Sequence, residues 1–152
     1  MEFYLVRHGE AKPASEDPAR PLTDRGRKEV ERVARAVAAK EIKVSEILHS
    51  DKLRAKQTAE ILARLLCPSG GVREIGGLAP EDDPQVAKVE MEVSQEPLML
   101  VGHLPHLSRL ASLLVTGDAA RDTVEFPSAA VVCLSRAESA WQVRWTLRPE
   151  AG

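Results

Sequence analysis

The chain has 152 residues, of which 43% are hydrophobic and 29% charged, and its formal net charge is -2 at pH 7. This length and apolar content suffice for one domain with a hydrophobic core, so we expect a single domain over residues 1–152. The small net charge argues against a protein that binds nucleic acid or a membrane surface through general basicity. Arg7 interrupts the first apolar run too early for a secretory signal peptide. We therefore expect a cytoplasmic protein.

Strand-like and helix-like patterns alternate along the chain, which is typical of a mostly parallel sheet covered by helices. Strands are expected at residues 3–6, 47–50, 72–75, 97–101, 129–135 and 141–147. Helices are expected from Thr23 to about Lys40, from Asp51 to Leu66, from Asp83 through Val93, and after His103 as far as Gly117. The predicted fold class is α/β: a three-layer sandwich with helices on both faces of the sheet and an antiparallel pair of strands at the C-terminal end.

The apolar spacing of two helices gives specific expectations about packing. Gly26 falls on the buried side of the first helix, which predicts a close approach of another backbone there. Val86, Val89 and Val93 recur at helical spacing and are predicted to form the buried face of the third helix.

Predicted strands end in residues that can hold an anion: Arg7 and His8, then Ser50 with Arg54, then His103. The carboxyl ends of parallel strands are where open α/β sheets bind ligands. Ser50 suits a helix N-cap, which would place Arg54 about one turn into the helix. Free N–H groups at a helix start attract anions, and a guanidinium matches phosphate oxygens. The sequence therefore predicts a phosphate site.

The pattern also predicts a reaction. A neutral His8 can attack phosphorus and form a covalent intermediate that water then hydrolyses. Arg7, Arg54 and His103 can stabilise the equatorial oxygens without a metal ion. Because the sequence has no clustered carboxylates of the magnesium-binding kind, we expect neither a metal nor another cofactor. The charge of Arg7 is expected to oppose protonation of His8 before substrate binds.

Several segments together resemble the histidine phosphatase superfamily, which has the phosphoglycerate mutase-like fold. The matching segments are residues 5–11, 20–23 with Gly26, 50–59, 101–105 and 126–130. Within that superfamily the chain is most similar to the small SixA-type phosphohistidine phosphatases. The resemblance implies that His8 is the nucleophile and that Arg7, Arg54 and His103 bind phosphate.

Other residues are predicted to contribute to the site with less direct support. The resemblance matches Arg20 to a basic position at the rim of the pocket. Ser50 and Leu104 lie inside the matching segments and are predicted to contact phosphate or substrate. Glu10 and Glu81 are candidate proton donors, although either can also be an ordinary residue of a surface loop.

The resemblance also bears on the substrate. Larger members of the superfamily carry an inserted cap after the third strand, and residues 76–83 are too few to form one. An open site suits a bulky substrate, so we expect a phosphohistidine on a signalling or phosphocarrier protein. Two alternatives remain: a phosphomonoesterase for small molecules in the same superfamily, and a silent domain that only binds phosphorylated partners.

Overall fold

A computed structural model describes residues 1–121 and 123–149. Strands and helices alternate in it as the sequence predicts. In chain order the elements are β1 Glu2–Arg7, α1 Asp24–Ala39, β2 Glu46–His49, α2 Leu53–Leu66, β3 Val72–Glu74, α3 Pro84–Val93, β4 Leu98–Gly102, α4 His106–Thr116, β5 Val131–Ala137 and β6 Ala140–Leu147.

The strands form one mixed sheet in the order β3-β2-β4-β1-β5-β6. Strands β3, β2, β4 and β1 are parallel, whereas β5 pairs antiparallel with β1 and with β6. The expected parallel sheet with an antiparallel strand pair at its C-terminal end is confirmed. Of that pair, β5 runs against β1, and β6 returns to the direction of β1.

Two hydrophobic cores lie on opposite faces of the sheet. Along β1, Tyr4 and Val6 pack into the core beneath α1 and α2, whereas Phe3 and Leu5 pack into the core beneath α3 and α4. Alternate residues of a strand point to opposite faces, so a strand buried on both sides is continuously apolar. Each buried side chain of this size stabilises the fold by about 1.5–3 kcal/mol. The three-layer architecture is confirmed.

The register of the central strands brings their carboxyl ends level with one another. Arg7 of β1 pairs with Gly102 of β4, and His49 of β2 pairs with Val101 of β4. The residues that follow these strands therefore leave the sheet at the same edge. This alignment positions the candidate site.

The loop between β1 and α1 begins and ends at this edge. Ala11 and Leu22 form an antiparallel bridge, and the N–H of Lys12 donates to the carbonyl of Pro21 at 2.9 Å. The N–H of Thr23 donates to the carbonyl of Glu10 at 3.0 Å. The intervening residues thus form a loop that is closed at its base and lies next to the end of β1.

The buried face of α3 differs from the prediction. Val86, Val89 and Val93 are exposed, at 54%, 54% and 65%, and Ala87 and Met91 are the buried residues of this helix. Adjacent residues of a helix differ by about 100° around its axis, so α3 carries two neighbouring apolar stripes. Spacing alone does not show which stripe faces the sheet. The stripe with the small Ala87 is the one that packs into the core.

Gly26 approaches the backbone of Glu10, as predicted. A Cβ at position 26 would lie 2.2 Å from the carbonyl oxygen of Glu10, far inside van der Waals contact. Thr23 caps α1 beside it by accepting a hydrogen bond from the N–H of Gly26 at 2.9 Å. The start of α1 is therefore held against the loop that follows β1.

We predict that Gly26→Ala lowers the free energy of unfolding by about 1–3 kcal/mol, because backbone must move to admit the methyl group. Gly76→Ala is the control, since a Cβ there meets no atom within 4 Å. Urea unfolding monitored by circular dichroism measures both. Equal stability of Gly26→Ala and the wild type would contradict the close approach.

Candidate active site

His8 stands at the end of β1 with its backbone fixed on two sides. Its N–H donates to the carbonyl of Gly102 at 3.0 Å, and its carbonyl accepts from the N–H of Ala129 at 3.3 Å. Its Nδ1 lies 2.6 Å from the carbonyl oxygen of Gly9. Because a carbonyl can only accept, Nδ1 carries the proton and the lone pair of the neutral ring is on Nε2.

The imidazole of His8 is held in its neutral form. Burial lowers its pKa to about 4, opposed by the hydrogen bond to Gly9 and reinforced by the charges of Arg54, Arg7 and Arg20. The sequence assigned this effect to Arg7, but burial is the larger cause. At neutral pH the ring therefore keeps a lone pair available for attack.

His103 faces His8 from the end of β4. The two ring centroids are 4.9 Å apart and the rings are tilted by 55°. His103 is 1% exposed, and its pKa falls to about 3, first through burial and then through the proximity of His8 and the charges of Arg54 and Lys52. Its Nδ1 has no hydrogen-bond partner among the residues the structure describes. A buried ring nitrogen without a partner is suited to contact a bound ligand.

Ser50 contacts His103 rather than capping a helix. Its hydroxyl lies 2.6 Å from Nε2 of His103, and only a long 3.3 Å contact joins it to the N–H of Lys52. Helix α2 begins at Leu53 with Lys52 as the N-cap residue, so the predicted capping role of Ser50 is wrong. The physical reason is that the hydroxyl points across the strand ends to β4. Binding of phosphate by Ser50 stays a prediction.

Two guanidinium groups are partly buried in the same region. Nη1 of Arg7 donates to the carbonyl of Phe126 at 2.9 Å, which fixes the side chain beside His8. Arg54 is the second residue of α2, nearer the helix start than predicted. Burial lowers the pKa of both groups. The Nε atoms of Arg7 and Arg54 have no hydrogen-bond partner within the described residues.

Thr58 links the nucleophile to the arginine on α2. Its hydroxyl oxygen accepts from the N–H of Gly9 at 3.1 Å and its proton goes to the carbonyl of Arg54 at 2.8 Å. The sequence did not separate this bracing role from ordinary packing. The available signal was its position one helical turn after Arg54, on the buried face of α2.

Arg20 lies near the site on the closed loop. Its Nε donates to the carbonyl of Lys12 at 3.0 Å, and its φ of 50° is in the left-handed region. Its charge lowers the pKa of both His8 and Arg54, so its guanidinium is close enough to affect both groups. The structure therefore places Arg20 beside the predicted pocket, and its role there stays a prediction.

The two candidate proton donors make other contacts. The carboxylate of Glu10 accepts from the hydroxyl of Thr23 at 2.8 Å, which braces the start of α1. The carboxylate of Glu81 lies 3.4 Å from the guanidinium of Arg109, and its side chain is 78% exposed. The geometry thus gives each glutamate a local partner, and proton donation by either stays a prediction.

Leu104 follows His103 and is partly buried against the core beneath α3 and α4. It lines a cavity of about 590 Å³ together with residues of α4 and of the segment 123–127. Among residues 1–121 and 123–149 there is no group of three or more His, Cys, Asp or Glu residues placed to hold a metal ion. In the same residues, no helix has the length and apolar character needed to cross a membrane.

The arrangement as a whole can hold an anion next to a neutral imidazole that is able to act as a nucleophile. His8 and His103 face each other, and the charges of Arg7, Arg54 and Arg20 act on His8. Partly buried cations that have no carboxylate partner among the described residues are costly unless a ligand compensates them. A tetrahedral oxyanion such as phosphate supplies that compensation and an electrophilic atom for His8.

This combination of fold and strand-end histidines defines a class of phosphate-transfer proteins. Residues 3–74 match the model of the histidine phosphatase superfamily, branch 1. An uncharacterised protein of Picosynechococcus sp. is 37% identical over 126 residues, covering 78% of this chain and 75% of that protein. The chain belongs to the histidine phosphatase superfamily.

Within the superfamily the chain is similar to SixA. The phosphohistidine phosphatase SixA of Escherichia coli K12 is 26% identical over 123 residues, covering 78% of this chain and 76% of that protein. The structure of the protein histidine phosphatase SixA complexed with tungstate superposes with a TM-score of 0.85 at 24% identity, covering 98% and 97% of the two chains. The mycobacterial glucosyl-3-phosphoglycerate phosphatase shares the fold, with a TM-score of 0.75 at 16% identity over 94% of this chain and 96% of its own.

We predict that the free energy of unfolding falls as the pH drops from about 7 to about 5. The pKa of a histidine is about 6.5 when unfolded and about 4 for His8 in the fold, so in this range the unfolded chain binds protons that the folded one does not. The stability that neutral His8 contributes is thus fully present above about pH 6.5 and is lost as the pH falls towards 4. His103 acts in the same direction.

Denaturant unfolding at several pH values measures this dependence. His8→Asn is expected to make the free energy of unfolding depend less on pH between about pH 7 and pH 5, because one histidine that the fold keeps neutral is removed. His8 accounts for on the order of 1 kcal/mol of the change over this range. An unchanged slope in His8→Asn would contradict the burial of His8 as a neutral group.

Proposed function

We propose that the protein is a phosphatase that forms a covalent phosphohistidine on His8 and acts on phosphohistidine in another protein. The observation that carries the proposal is the state of His8. Its Nδ1 is bonded to the Gly9 carbonyl, which leaves the lone pair on Nε2, and burial keeps the ring neutral. A merely phosphate-binding site would not need a nucleophile prepared in this way.

In the first step, Nε2 of His8 attacks phosphorus in line with the leaving group. The bond from phosphorus to Nε2 forms as the bond to the leaving nitrogen breaks. The guanidinium groups of Arg7 and Arg54 bind the equatorial oxygens, where charge must be stabilised. These fixed positive charges supply the stabilisation that other phosphoryl-transfer enzymes obtain from metal ions, so the proposed mechanism uses no cofactor.

His103 is proposed to donate a further hydrogen bond to the phosphoryl group. When the hydroxyl of Ser50 donates to Nε2 of His103, the ring proton is on Nδ1, the buried nitrogen without a partner in the described residues. Nδ1–H can then donate to a phosphate oxygen. In this account Ser50 is a positioning residue that selects the tautomer of His103.

In the second step, water attacks the phosphorus of the phosphoenzyme. The bond from phosphorus to Nε2 of His8 breaks, and its electron pair returns to Nε2 as the lone pair. The attacking water gives its proton to solvent, and inorganic phosphate leaves. The same arginines act again, because the equatorial oxygens keep their positions through both in-line displacements. Both half-reactions therefore use one site.

Two observations support a protein phosphohistidine as the substrate. Residues 75–83, which join β3 to α3, are a short connection whose Leu78 is buried in the core beneath α3 and α4. Such a segment leaves the site accessible to a macromolecule. The similarity to the phosphohistidine phosphatase SixA extends over 78% of this chain. An imidazole that leaves as a neutral ring after protonation also needs less assistance than an alkoxide.

Incubation with a protein phosphorylated on histidine is expected to yield a phosphoenzyme that is labile in acid and stable in base. His8→Asn is expected to form none, because the amide of Asn offers no nucleophilic nitrogen at that position. Rapid quenching and mass spectrometry of the intact protein measure the intermediate. Under the proposal, kcat/KM for the phosphohistidine protein exceeds that for sugar and nucleotide phosphates.

Controls separate the parts of this proposal. Turnover that persists in a chelator supports the metal-independent mechanism, and its loss would overturn that part. A higher kcat/KM for small phosphate esters would indicate a small-molecule phosphomonoesterase. Stoichiometric binding of the phosphoprotein without phosphate release would indicate a silent binding domain.

We predict that Arg54→Ala lowers kcat by about 100- to 1,000-fold, the usual effect of deleting one strong electrostatic donor. Arg64→Ala on the same helix is the matched control, because Arg64 lies on the exposed face of α2. Single-turnover kinetics of phosphoenzyme formation measure both variants. Equal rates in the two variants would mean that Arg54 does not contact the transferred group.

A further inference from the structure

Helix α2 begins with a residue that is poorly suited to begin a helix. Lys52 is its N-cap residue, and among the residues that the structure describes its side chain makes no capping hydrogen bond. By contrast, Thr23 caps α1 and Asp83 caps α3, each by accepting from a backbone N–H. Residues 53–56, which form the first turn of α2, include no acidic side chain. A cation beside the positive end of a helix dipole is unfavourable, so the stability of the helix does not explain lysine at this position.

Lys52 lies next to the catalytic candidates. Its N–H donates a long 3.3 Å hydrogen bond to the hydroxyl of Ser50, and that hydroxyl lies 2.6 Å from Nε2 of His103. Burial is the first cause of the lowered pKa of His103, and the charge of Lys52 also contributes to it. For His8 the charges that act after burial are those of arginines. Lys52 therefore lies on the His103 side of the site.

The side chain of Lys52 is accessible to an incoming molecule, because 42% of it is exposed. Its ammonium lies 3.8 Å from the carboxylate of Asp51, whose side chain is 62% exposed. An exposed ion pair of this kind contributes little to stability, since water competes for both groups. A carboxylate on another protein can therefore replace Asp51 as the partner of Lys52 at little cost.

The site carries more positive charge than one phosphoryl group neutralises. Four side chains bring positive charge to the two histidines: Arg7, Arg20, Arg54 and Lys52. The carboxylate of Asp51 acts on Arg54 with one negative charge. Four positive charges and one negative charge leave three positive charges, whereas a phosphoryl group carries about two negative charges at neutral pH. One positive charge then remains for another anion, and a single carboxylate matches it.

Resting on the proposed phosphohistidine phosphatase activity, we infer that Lys52 binds a carboxylate of the substrate protein beside its phosphohistidine. In the proposed mechanism the phosphoryl group is bound by Arg7, Arg54 and His103. Lys52 binds the acidic side chain at the exposed edge of the same site. It takes no part in making or breaking bonds, so it is a residue that determines specificity rather than a catalytic residue.

Synthetic peptides that contain one phosphohistidine test this inference. One peptide has Glu on both sides of the phosphohistidine, and its partner has Gln, which has nearly the same shape without the charge. The quantity measured is the ratio of kcat/KM for the two peptides, because a general effect of a variant on the reaction cancels in it. The wild type is expected to prefer the Glu peptide about three- to fivefold at low ionic strength. Most of that preference is expected to disappear in about 0.5 M salt, which screens exposed charges.

Variants assign the preference to one side chain. Lys52→Ser is expected to bring the ratio to about one, and Lys52→Asp is expected to invert it, because like charges repel. Lys56→Ser is the matched control, since Lys56 is an exposed lysine about one turn further along α2. The control is expected to keep the ratio of the wild type.

Thermal unfolding of the same variants separates recognition from folding. Serine and aspartate are good N-cap residues, so Lys52→Ser and Lys52→Asp are expected to raise the melting temperature by about 2–4 °C. A protein that is more stable than the wild type and still loses the preference does not lose it through misfolding.

The inference is overturned if the wild type shows no preference for the Glu peptide or if both Lys52 variants keep it. It is also overturned if Lys56→Ser loses the preference to the same extent, or if both Lys52 variants melt below the wild type, since Lys52 would then have a structural role. Absence of turnover on every peptide would overturn the proposed function and this inference together. Turnover without a preference would overturn this inference alone, so the two failures are distinguishable.

Discussion

The hydrogen bond between Nδ1 of His8 and the carbonyl of Gly9 determines the chemistry of the site. It assigns the proton to one nitrogen and the lone pair to the other before any ligand arrives. The bond depends on the turn at Gly9, whose N–H is held by Thr58, and on the level ends of β1 and β4. The register of the sheet and the turn at Gly9 together therefore determine which nitrogen of His8 carries the proton.

The same region carries an electrostatic cost. His8, His103, Arg7 and Arg54 are all buried to some degree, and burial is the first cause of the lowered pKa of each. Because both histidines are neutral, they add no further positive charge beside the guanidinium groups, and the two apolar cores supply stability that offsets the remaining repulsion. A bound oxyanion relieves the repulsion further, so ligand binding and folding stability are linked.

Much of the architecture could be predicted from the sequence because apolar periodicity and capping residues agree. Thr23, Asp83 and Gly117 mark helix ends as expected, and residues 3–6 of β1 are continuously hydrophobic because both faces of the strand are buried. The candidate residues were found because they follow strands that end at one edge. Side-chain packing was harder to predict. Helix α3 has two adjacent apolar stripes, and the hydroxyl of Ser50 contacts His103, which is distant in sequence. The helical spacing of Thr58 from Arg54 indicates one of its contacts, but no local pattern shows its second contact, with the N–H of Gly9, or the cavity that forms beside Leu104.

The loop that carries Arg20 is closed at its base by the pairing of Ala11 with Leu22. Because the base is fastened, the entropic cost of closing the loop rises only slowly as residues are added to its tip. Insertions or deletions at the tip would therefore leave α1, His8 and Arg20 undisturbed, because Arg20 is itself held at the base by its hydrogen bond to Lys12. The length and composition of the tip can therefore vary at little expense to the arrangement of the candidate site.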